Sequence, residues 1–193
     1  MGLPFFRFYN IDDDFSERIY ISFFGVGIVS TLIGALLPFM KAEYNMDYVL
    51  SGAVISAHQI GNFCAVLFSG FLPYVIGRKK STVLLVTGIP LGFLLVILTG
   101  IPGLLLFAFV LTGIGRGTMS NISNVTVSET SGNRTAALNI LHASFAVGAL
   151  SAPFLVILFT QVLHLDWRFP AIFIIVFEIG VLLLLAKSSL SNV

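Results

Sequence analysis

Residues 19–40 read IYISFFGVGIVSTLIGALLPFM, a run without a charged side chain. A helix rises about 1.5 Å per residue, so a run of this length can cross a hydrocarbon layer of about 30 Å. The composition of the whole chain agrees, because 57% of its 193 residues are hydrophobic and 10% are charged, whereas soluble domains carry about 25% charged residues. The stretch therefore predicts an all-α membrane protein whose main partner is the lipid bilayer.

Five more apolar stretches of similar length follow, separated by short segments that contain charged residues, glycine or proline. The predicted spans are residues 19–40, 48–72, 81–101, 103–127, 135–163 and 169–186. Because the connections are short, successive helices are expected to be antiparallel neighbours. The predicted organisation is a tail at 1–18, a six-helix transmembrane domain at 19–186, and a tail or the start of a linker at 187–193.

Positive charges are distributed unevenly between the two ends of these spans. With the N-terminus inside, only Lys41 and Arg168 fall on the outer side. Lysine and arginine are enriched in cytoplasmic loops, so both termini are predicted to be cytoplasmic. The predicted location of the protein is the plasma (inner) membrane. The net charge of +1 gives no indication of a nucleic-acid partner. The inner side carries Arg7, Arg18, Arg78, Lys79, Lys80, Arg134 and Lys187.

The segment between the second and third spans, residues 70–80, reads GFLPYVIGRKK. Its glycine allows a tight turn and its basic side chains suit the cytoplasmic interface, as a simple positive-inside anchor also would. The spacing resembles the signature loop of the major facilitator superfamily, G-x-L-A-D-R-x-G-R-K/R-x. Tyr74 and Val75 replace that family's Asp and Arg. In the family these charges help to hold the loop against neighbouring helices, and the resemblance does not extend to that contact. The matching residues are Gly70, Leu72, Gly77, Arg78 and Lys79.

The resemblance covers nearly the whole chain and implies both a fold and a function. The fold is one six-helix half of a twelve-helix transporter, built as a 3+3 inverted repeat. The function is proton-coupled secondary transport of a small solute by alternating access, with the site between two halves, so a second half or a homodimer is expected. Residues 138–153 resemble the fifth helix of the sugar-porter branch that includes fucose permease. The alternative is a non-transporting membrane partner or regulatory protein that retains the half-fold.

The fourth span carries a charge, Arg116, near its middle. A charge at the bilayer centre costs about 3 kcal/mol or more, so it normally faces a water-filled cavity or a partner. Steps of three or four residues place five polar residues of this span on one broad face, namely Thr112, Arg116, Ser120, Ser123 and Asn124. The prediction is a cavity wall where Arg116 binds a sugar or an organic anion; the alternative is an arginine satisfied within the bundle. The predicted substrate-binding residues are Arg116, Ser120, Asn124, Asn139, His142 and Thr31.

Glu178, midway along the sixth span, is the second charge inside the membrane. Burial favours the neutral form of a carboxyl group, which makes Glu178 the candidate for proton coupling. The alternative is a structural residue, paired with Arg116 or protonated and hydrogen-bonded. His142 shares a face with Asn139 and serves equally as a proton relay or an interhelical hydrogen-bond partner, whereas the latter role is expected for His58.

Catalytic chemistry is not indicated by the sequence. Ser56 and His58 are two residues apart and point in different directions on a helix, so they do not form a nucleophile–base pair. No nucleotide loop or zinc motif occurs in the sequence. We therefore predict that the protein is not an enzyme and that it has no catalytic residues, no metal site and no cofactor.

Small residues recur at helical spacing on several spans. On the second span they occupy every fourth position from Ala53 to Ser69, and Gly27, Thr31 and Gly34 form a similar series on the first. Small side chains at this spacing allow two helices to approach closely. We expect these faces to be helix–helix contacts.

Overall fold

The computed structural model describes residues 13–187, with side chains described from residue 17, and this part consists of helices joined by short turns. It contains six segments that are long and apolar enough to cross a membrane, which confirms the predicted all-α, six-span fold class. In chain order these spans 1–6 are Glu17–Glu43, Tyr48–Ile76, Arg78–Leu98, Pro102–Thr130, Arg134–Val162 and Arg168–Lys187. The predicted tails lie largely outside the described residues.

Seven α-helices build the six spans in the described part of the chain. Span 3 is divided at Thr87 because Pro90 has no backbone N–H to donate to the carbonyl of Val86. Span 5 continues beyond its α-helix as a π-helical segment, Leu158–Val162. The helices are α1 Asp13–Glu43, α2 Tyr48–Ile76, α3 Arg78–Val86, α4 Gly88–Leu98, α5 Pro102–Thr130, α6 Arg134–Ile157 and α7 Arg168–Lys187. The last six residues of the predicted N-terminal tail, 13–18, are thus already helical.

Local sequence signals explain where several helices begin. The Asp47 carboxylate accepts a 2.7 Å hydrogen bond from the backbone N–H of Leu50 and caps α2. Asn133 caps α6 in the same way, through the N–H of Ala136 at 3.2 Å. Proline at the first position of α5, Pro102, has no N–H that a helix start would leave unsatisfied.

The segment between spans 2 and 3 differs from its prediction as a loop. Residues up to Ile76 belong to α2, and Arg78 already begins α3. Gly77 alone connects them, with φ 86° and ψ 150°. Residues other than glycine rarely adopt this backbone conformation. Arg78 and Lys79 therefore lie in the first turn of a helix, where their positions are fixed by the helix axis.

Two helix crossings rest on glycines that meet the partner's backbone. At the α2–α5 crossing a Cβ on Gly61 would overlap the carbonyl oxygen of Val110, and a Cβ on Gly113 would overlap that of His58. At the α1–α6 crossing Gly27 and Gly148 meet the carbonyl oxygens of Phe145 and Phe24 in the same reciprocal way. The small-residue prediction is confirmed at Gly61 and Gly27. It is wrong for Gly34, whose added Cβ would meet nothing within 4 Å.

The two crossings are equivalent under an inverted repeat. Gly27 of α1 and Gly113 of α5 are offset by the same 86 residues that separate Ser30 of α1 from Arg116 of α5. Successive spans alternate in direction, so α1 and α5 run oppositely through the bundle. Spans 1–3 and spans 4–6 are thus two copies of one arrangement in opposite orientation, as the 3+3 prediction required.

A polar network joins spans 1, 3 and 6 at their predicted outer ends. The guanidinium of Arg168 pairs with the Glu43 carboxylate, which also accepts the indole N–H of Trp167. The Tyr44 hydroxyl donates to the carbonyl of Val96 at 2.9 Å. Burial raises the pKa of Tyr44, so this phenol remains a donor at neutral pH. Three spans are consequently tied together at one end of the bundle.

Candidate functional site

Three polar residues meet at the mid-depth of the bundle. Ser30, Asn62 and Arg116 each lie at the midpoint of their span, on α1, α2 and α5. All three side chains are partly exposed, whereas the neighbouring positions in α1 and α5 are largely buried. The cluster therefore lies at the depth of the bilayer centre, on a surface that the six described spans leave open.

Hydrogen bonds fix the Arg116 guanidinium between the other two side chains. Its Nε donates to Ser30 Oγ at 2.7 Å, and its Nη1 donates to Asn62 Oδ1 at 3.2 Å. The Ser30 hydroxyl itself donates to the Val26 carbonyl at 2.6 Å, so its oxygen serves Arg116 as an acceptor. Gly117 leaves room for Asn62, because a Cβ there would stand 2.7 Å from the same Oδ1.

Arg116 has no carboxylate partner among residues 17–187, whose side chains the structure describes. Both of its acceptors are neutral. In contrast, Arg78 pairs with Glu129 at 3.3 Å and Arg168 with Glu43. The suggested pairing of Arg116 with Glu178 is thus wrong. The cluster keeps a net positive charge at the centre of the membrane.

The predicted polar face of span 4 divides into an outward part and an inward part. Ser120 and Asn124 are partly exposed like Arg116, and the Asn124 amide donates to the Ser120 carbonyl at 2.8 Å. Thr112 and Ser123 are buried in the bundle instead. Helical periodicity placed all five on one broad face, but the packing of α5 against α2 and α4 leaves only part of that face open.

Thr112 hydrogen-bonds His58 across the α2–α5 crossing. The two side chains are 3.0 Å apart, from Nδ1 to Oγ1. Because the threonine hydroxyl donates to the Phe109 carbonyl at 2.8 Å, the imidazole Nδ1 is the donor of this pair. His58 is therefore an interhelical hydrogen-bond partner, as expected.

The remaining predicted binding residues are not joined to Arg116 by hydrogen bonds in the described structure. Thr31 is partly exposed and follows Ser30 on α1, whereas Asn139 and His142 are exposed on α6. His142 contacts the ring of Phe23 edge-on, with centroids 5.8 Å apart. Their role in binding stays a prediction.

Ser30 and Asn62 were not among the predicted substrate-binding residues, although the sequence placed Ser30, beside Thr31, at the expected cavity. The sequence contains a signal for both, since each is the polar residue at the midpoint of an apolar span. Depth along a span is readable from the chain, and Arg116, Ser30 and Asn62 share that depth. A search for polar residues at equal depth would have grouped them.

Glu178 occupies a different environment from Arg116. It is 1% exposed, and its Oε1 has no hydrogen-bond partner in the described structure. A Cβ on Gly25 of α1 would stand 2.6 Å from that oxygen, so the glycine makes space for the carboxyl group. The acid is sealed in the α1–α7 interface.

Three of the five signature residues line a groove between α2 and α5 near the predicted cytoplasmic end. The groove has a volume of about 630 Å³ and includes Gly70, Gly77 and Arg78 in its wall. Arg78 pairs with Glu129 and also donates to Thr126 Oγ1 at 3.4 Å. This pair ties the start of α3 to the end of α5 without the Asp and Arg that Tyr74 and Val75 replace.

The six spans in inverted repeat, with a polar cluster at mid-depth, define a membrane protein of the transporter class. The chain belongs to the Major Facilitator Superfamily, whose family model matches residues 19–190. This is a family of membrane transporters, so the protein is a multi-pass membrane protein that acts on a small-molecule substrate. None of the curated proteins compared with the chain matches its sequence.

Proposed function

We propose that the chain forms one half of a secondary transporter, which moves a small solute by alternating access with proton coupling. The observation that carries this proposal is the cluster of Arg116, Ser30 and Asn62 at mid-depth. Transporters with repeated architecture bind their substrates near the bilayer midplane, at the interface between repeats. A partly exposed arginine at that depth is costly in contact with lipid, which favours a water-filled cavity around it.

The solute site of this proposal extends from the cluster toward the predicted cytoplasmic end. Ser120 and Asn124 follow Arg116 by one and two turns on α5 and are also partly exposed. Thr31, Asn139 and His142 complete the proposed set. The resemblance of residues 138–153 to fucose permease keeps a sugar among the candidate substrates.

Glu178 is the proposed proton-coupling residue. Its carboxyl group is buried between α1 and α7, where Oε1 has no hydrogen-bond partner among the described residues. A buried acid changes the charge of its surroundings when it gains or loses a proton. Because it touches the helix that carries Ser30, a change at Glu178 can be transmitted along α1 to the cluster.

The partner of this half is proposed to be a second six-span unit, either a separate half or another copy of the chain. Spans 2 and 5 are largely exposed in the bundle, and the cluster opens between α1, α2 and α5. A second unit placed against this surface would enclose the site. The fold family contains two halves related by an axis along the membrane normal, which a parallel homodimer would reproduce.

The test begins with the mass of the purified chain in lipid nanodiscs by native mass spectrometry. A dimer is expected if the chain supplies both halves. The chain is then reconstituted in liposomes that contain a pH-sensitive dye, and hexoses, hexuronates and dicarboxylates are added outside. Proton-coupled uptake of a solute would acidify the lumen, and the Arg116→Gln variant serves as the matched control.

A dimer that acidifies the lumen with one of these solutes supports transport, provided that Arg116→Gln does not. A folded dimer that moves none of them supports the alternative, a membrane partner without a transport cycle. The replacement of the family's charged pair by Tyr74 and Val75 is the feature that favours this second function. A monomer would indicate that transport needs a separate second half.

A further inference from the structure

Arg116 retains unused hydrogen-bond donors that face the open surface. A guanidinium has five N–H groups, and the bundle uses two of them, through Nε and Nη1. Nη2 has no hydrogen-bond partner among the described residues. It is also not a buried atom, and the Arg116 side chain as a whole is partly exposed. Its edge is therefore accessible to a ligand.

Among the residues whose side chains are described, no carboxylate compensates the charge of Arg116. Ser30 and Asn62 offer neutral oxygens, and the acid nearest the middle of a described span, Glu178, is sealed against Gly25. Neutral acceptors solvate a cation but leave its charge in place. A bound anion would remove the cost of holding that charge in a membrane.

We propose that the Arg116 site selects a small anion, a carboxylate or a phosphate, over a neutral polyol. The planar guanidinium fork matches the oxygens of these groups with two parallel hydrogen bonds. Ser30 and Asn62 hold Nε and Nη1 on the protein side, so the edge that includes Nη2 is presented to the solute. The inference rests on the proposed transport site and narrows its substrate class.

The experiment measures the thermal stability of the purified chain with matched probes, each at about 10 mM. The pairs are D-glucuronate with D-glucose and succinate with succinamide; inorganic phosphate is compared with sodium chloride at equal ionic strength. At least one anion should raise the melting temperature by about 2 °C or more, while its neutral or chloride partner should not.

Variants assign this shift to the arginine. Arg116→Gln should lose it, with affinity for the anion at least about tenfold weaker. The exposed Arg134→Gln variant is the matched control and should keep it. If Arg116→Gln does not fold, Arg116→Lys decides the matter, because it keeps the charge but loses the fork and should bind several-fold more weakly.

Three results would overturn the inference: an equal shift from a neutral partner, an undiminished shift in the Arg116 variants, or no shift from any anion. The first would leave the proposed transport site intact if Arg116→Gln still abolished binding, and would only remove anion selection. The second would show that the anion binds elsewhere. The third would remove the anion site at Arg116, and the proposed transport would then be judged by the flux assay alone.

Discussion

Spans 1–3 and spans 4–6 share one backbone arrangement but differ in the polar groups they carry. Gly27 and Gly113 occupy equivalent positions and make equivalent crossings. Three residues further along, the first repeat has Ser30 and the second has Arg116, and the two side chains hydrogen-bond each other. The pseudo-twofold axis that relates the two repeats thus passes between Ser30, a neutral acceptor, and Arg116, its charged counterpart.

A second difference concerns the place where the third helix of each repeat meets the first helix of the other. In one case Gly88 of span 3 meets the carbonyl of Leu111. In the equivalent case Gly25 of α1 meets a side-chain carboxyl, that of Glu178 of span 6, instead of a backbone carbonyl. Glycines allow the helices to pack closely in both repeats. The repeats differ in their polar side chains, since Arg116 and Glu178 both belong to the second repeat. We therefore expect substitutions of the differing polar residues to change function, and substitutions of the shared glycines to change stability.

The largest expected effect follows from making the repeats alike at their axis. Arg116→Ser places the same residue type at both equivalent positions and removes the charged donor. We expect solute affinity to fall by about 3 kcal/mol, more than a hundredfold, because a charge-assisted contact to the bound solute is lost. Binding measured by calorimetry on purified protein checks this, with Arg134→Ser as control. Unchanged affinity would place the binding site outside the cluster.

The next effect tests the shared contacts. Gly113→Ala and Gly27→Ala should each lower stability by about 1–3 kcal/mol, because the added methyl group overlaps a backbone carbonyl that cannot move alone. Thermal unfolding in one detergent measures both, and Gly34→Ala on the same helix as Gly27 should be neutral. Similar losses would support equivalence of the two crossings, whereas a large loss at only one of them would contradict it.

A smaller effect of opposite sign is expected at Glu178. Glu178→Met replaces a buried carboxyl, whose Oε1 has no hydrogen-bond partner in the described part of the chain, with an apolar side chain of similar length. Unfolding free energy should stay level or rise by about 1–2 kcal/mol, while solute-driven acidification of liposomes should disappear. A clear loss of stability would reveal that the carboxyl has a partner in the membrane that holds the fold together.

The smallest effect is expected at the signature segment. The pair between Arg78 and Glu129 is partly exposed, with 59% of the glutamate side chain accessible, and such pairs contribute about 1 kcal/mol or less. A double-mutant cycle of Arg78→Ala and Glu129→Ala should therefore give a small coupling energy. A coupling of several kcal/mol would mean that this pair is screened from water when a second unit is present.

The spans were readable from the chain because depth in a membrane is encoded in the order of apolar and charged residues. Arg116 and Glu178 were found for the same reason. The direction in which a residue faces was harder to derive from the sequence, because one helix can pack against several neighbouring helices. Gly34 belongs to a small-residue series yet faces open space, and Thr112 shares a helix face with Arg116 yet is buried.

Contacts between distant parts of the chain were the least accessible to sequence reasoning. Nothing local to Trp167 indicates that it donates to Glu43, since the two are 124 residues apart. The single-residue connection at Gly77 was also missed, because three basic side chains resemble a loop as much as a first helical turn. Both features depend on how whole helices dock, which hydropathy does not record.

The charge of Arg116, which has no carboxylate partner among the described side chains, has a consequence for how voltage acts on the protein. A site that opens alternately to each side is at the potential of the side to which it is open. An empty site with one positive charge is favoured on the negative, cytoplasmic side by up to about 2.3 kcal/mol per 100 mV. Once a monoanion is bound, the site is electroneutral and its reorientation is indifferent to voltage. The membrane potential would then set the rate of return of the empty carrier, which flux under imposed potassium gradients can measure.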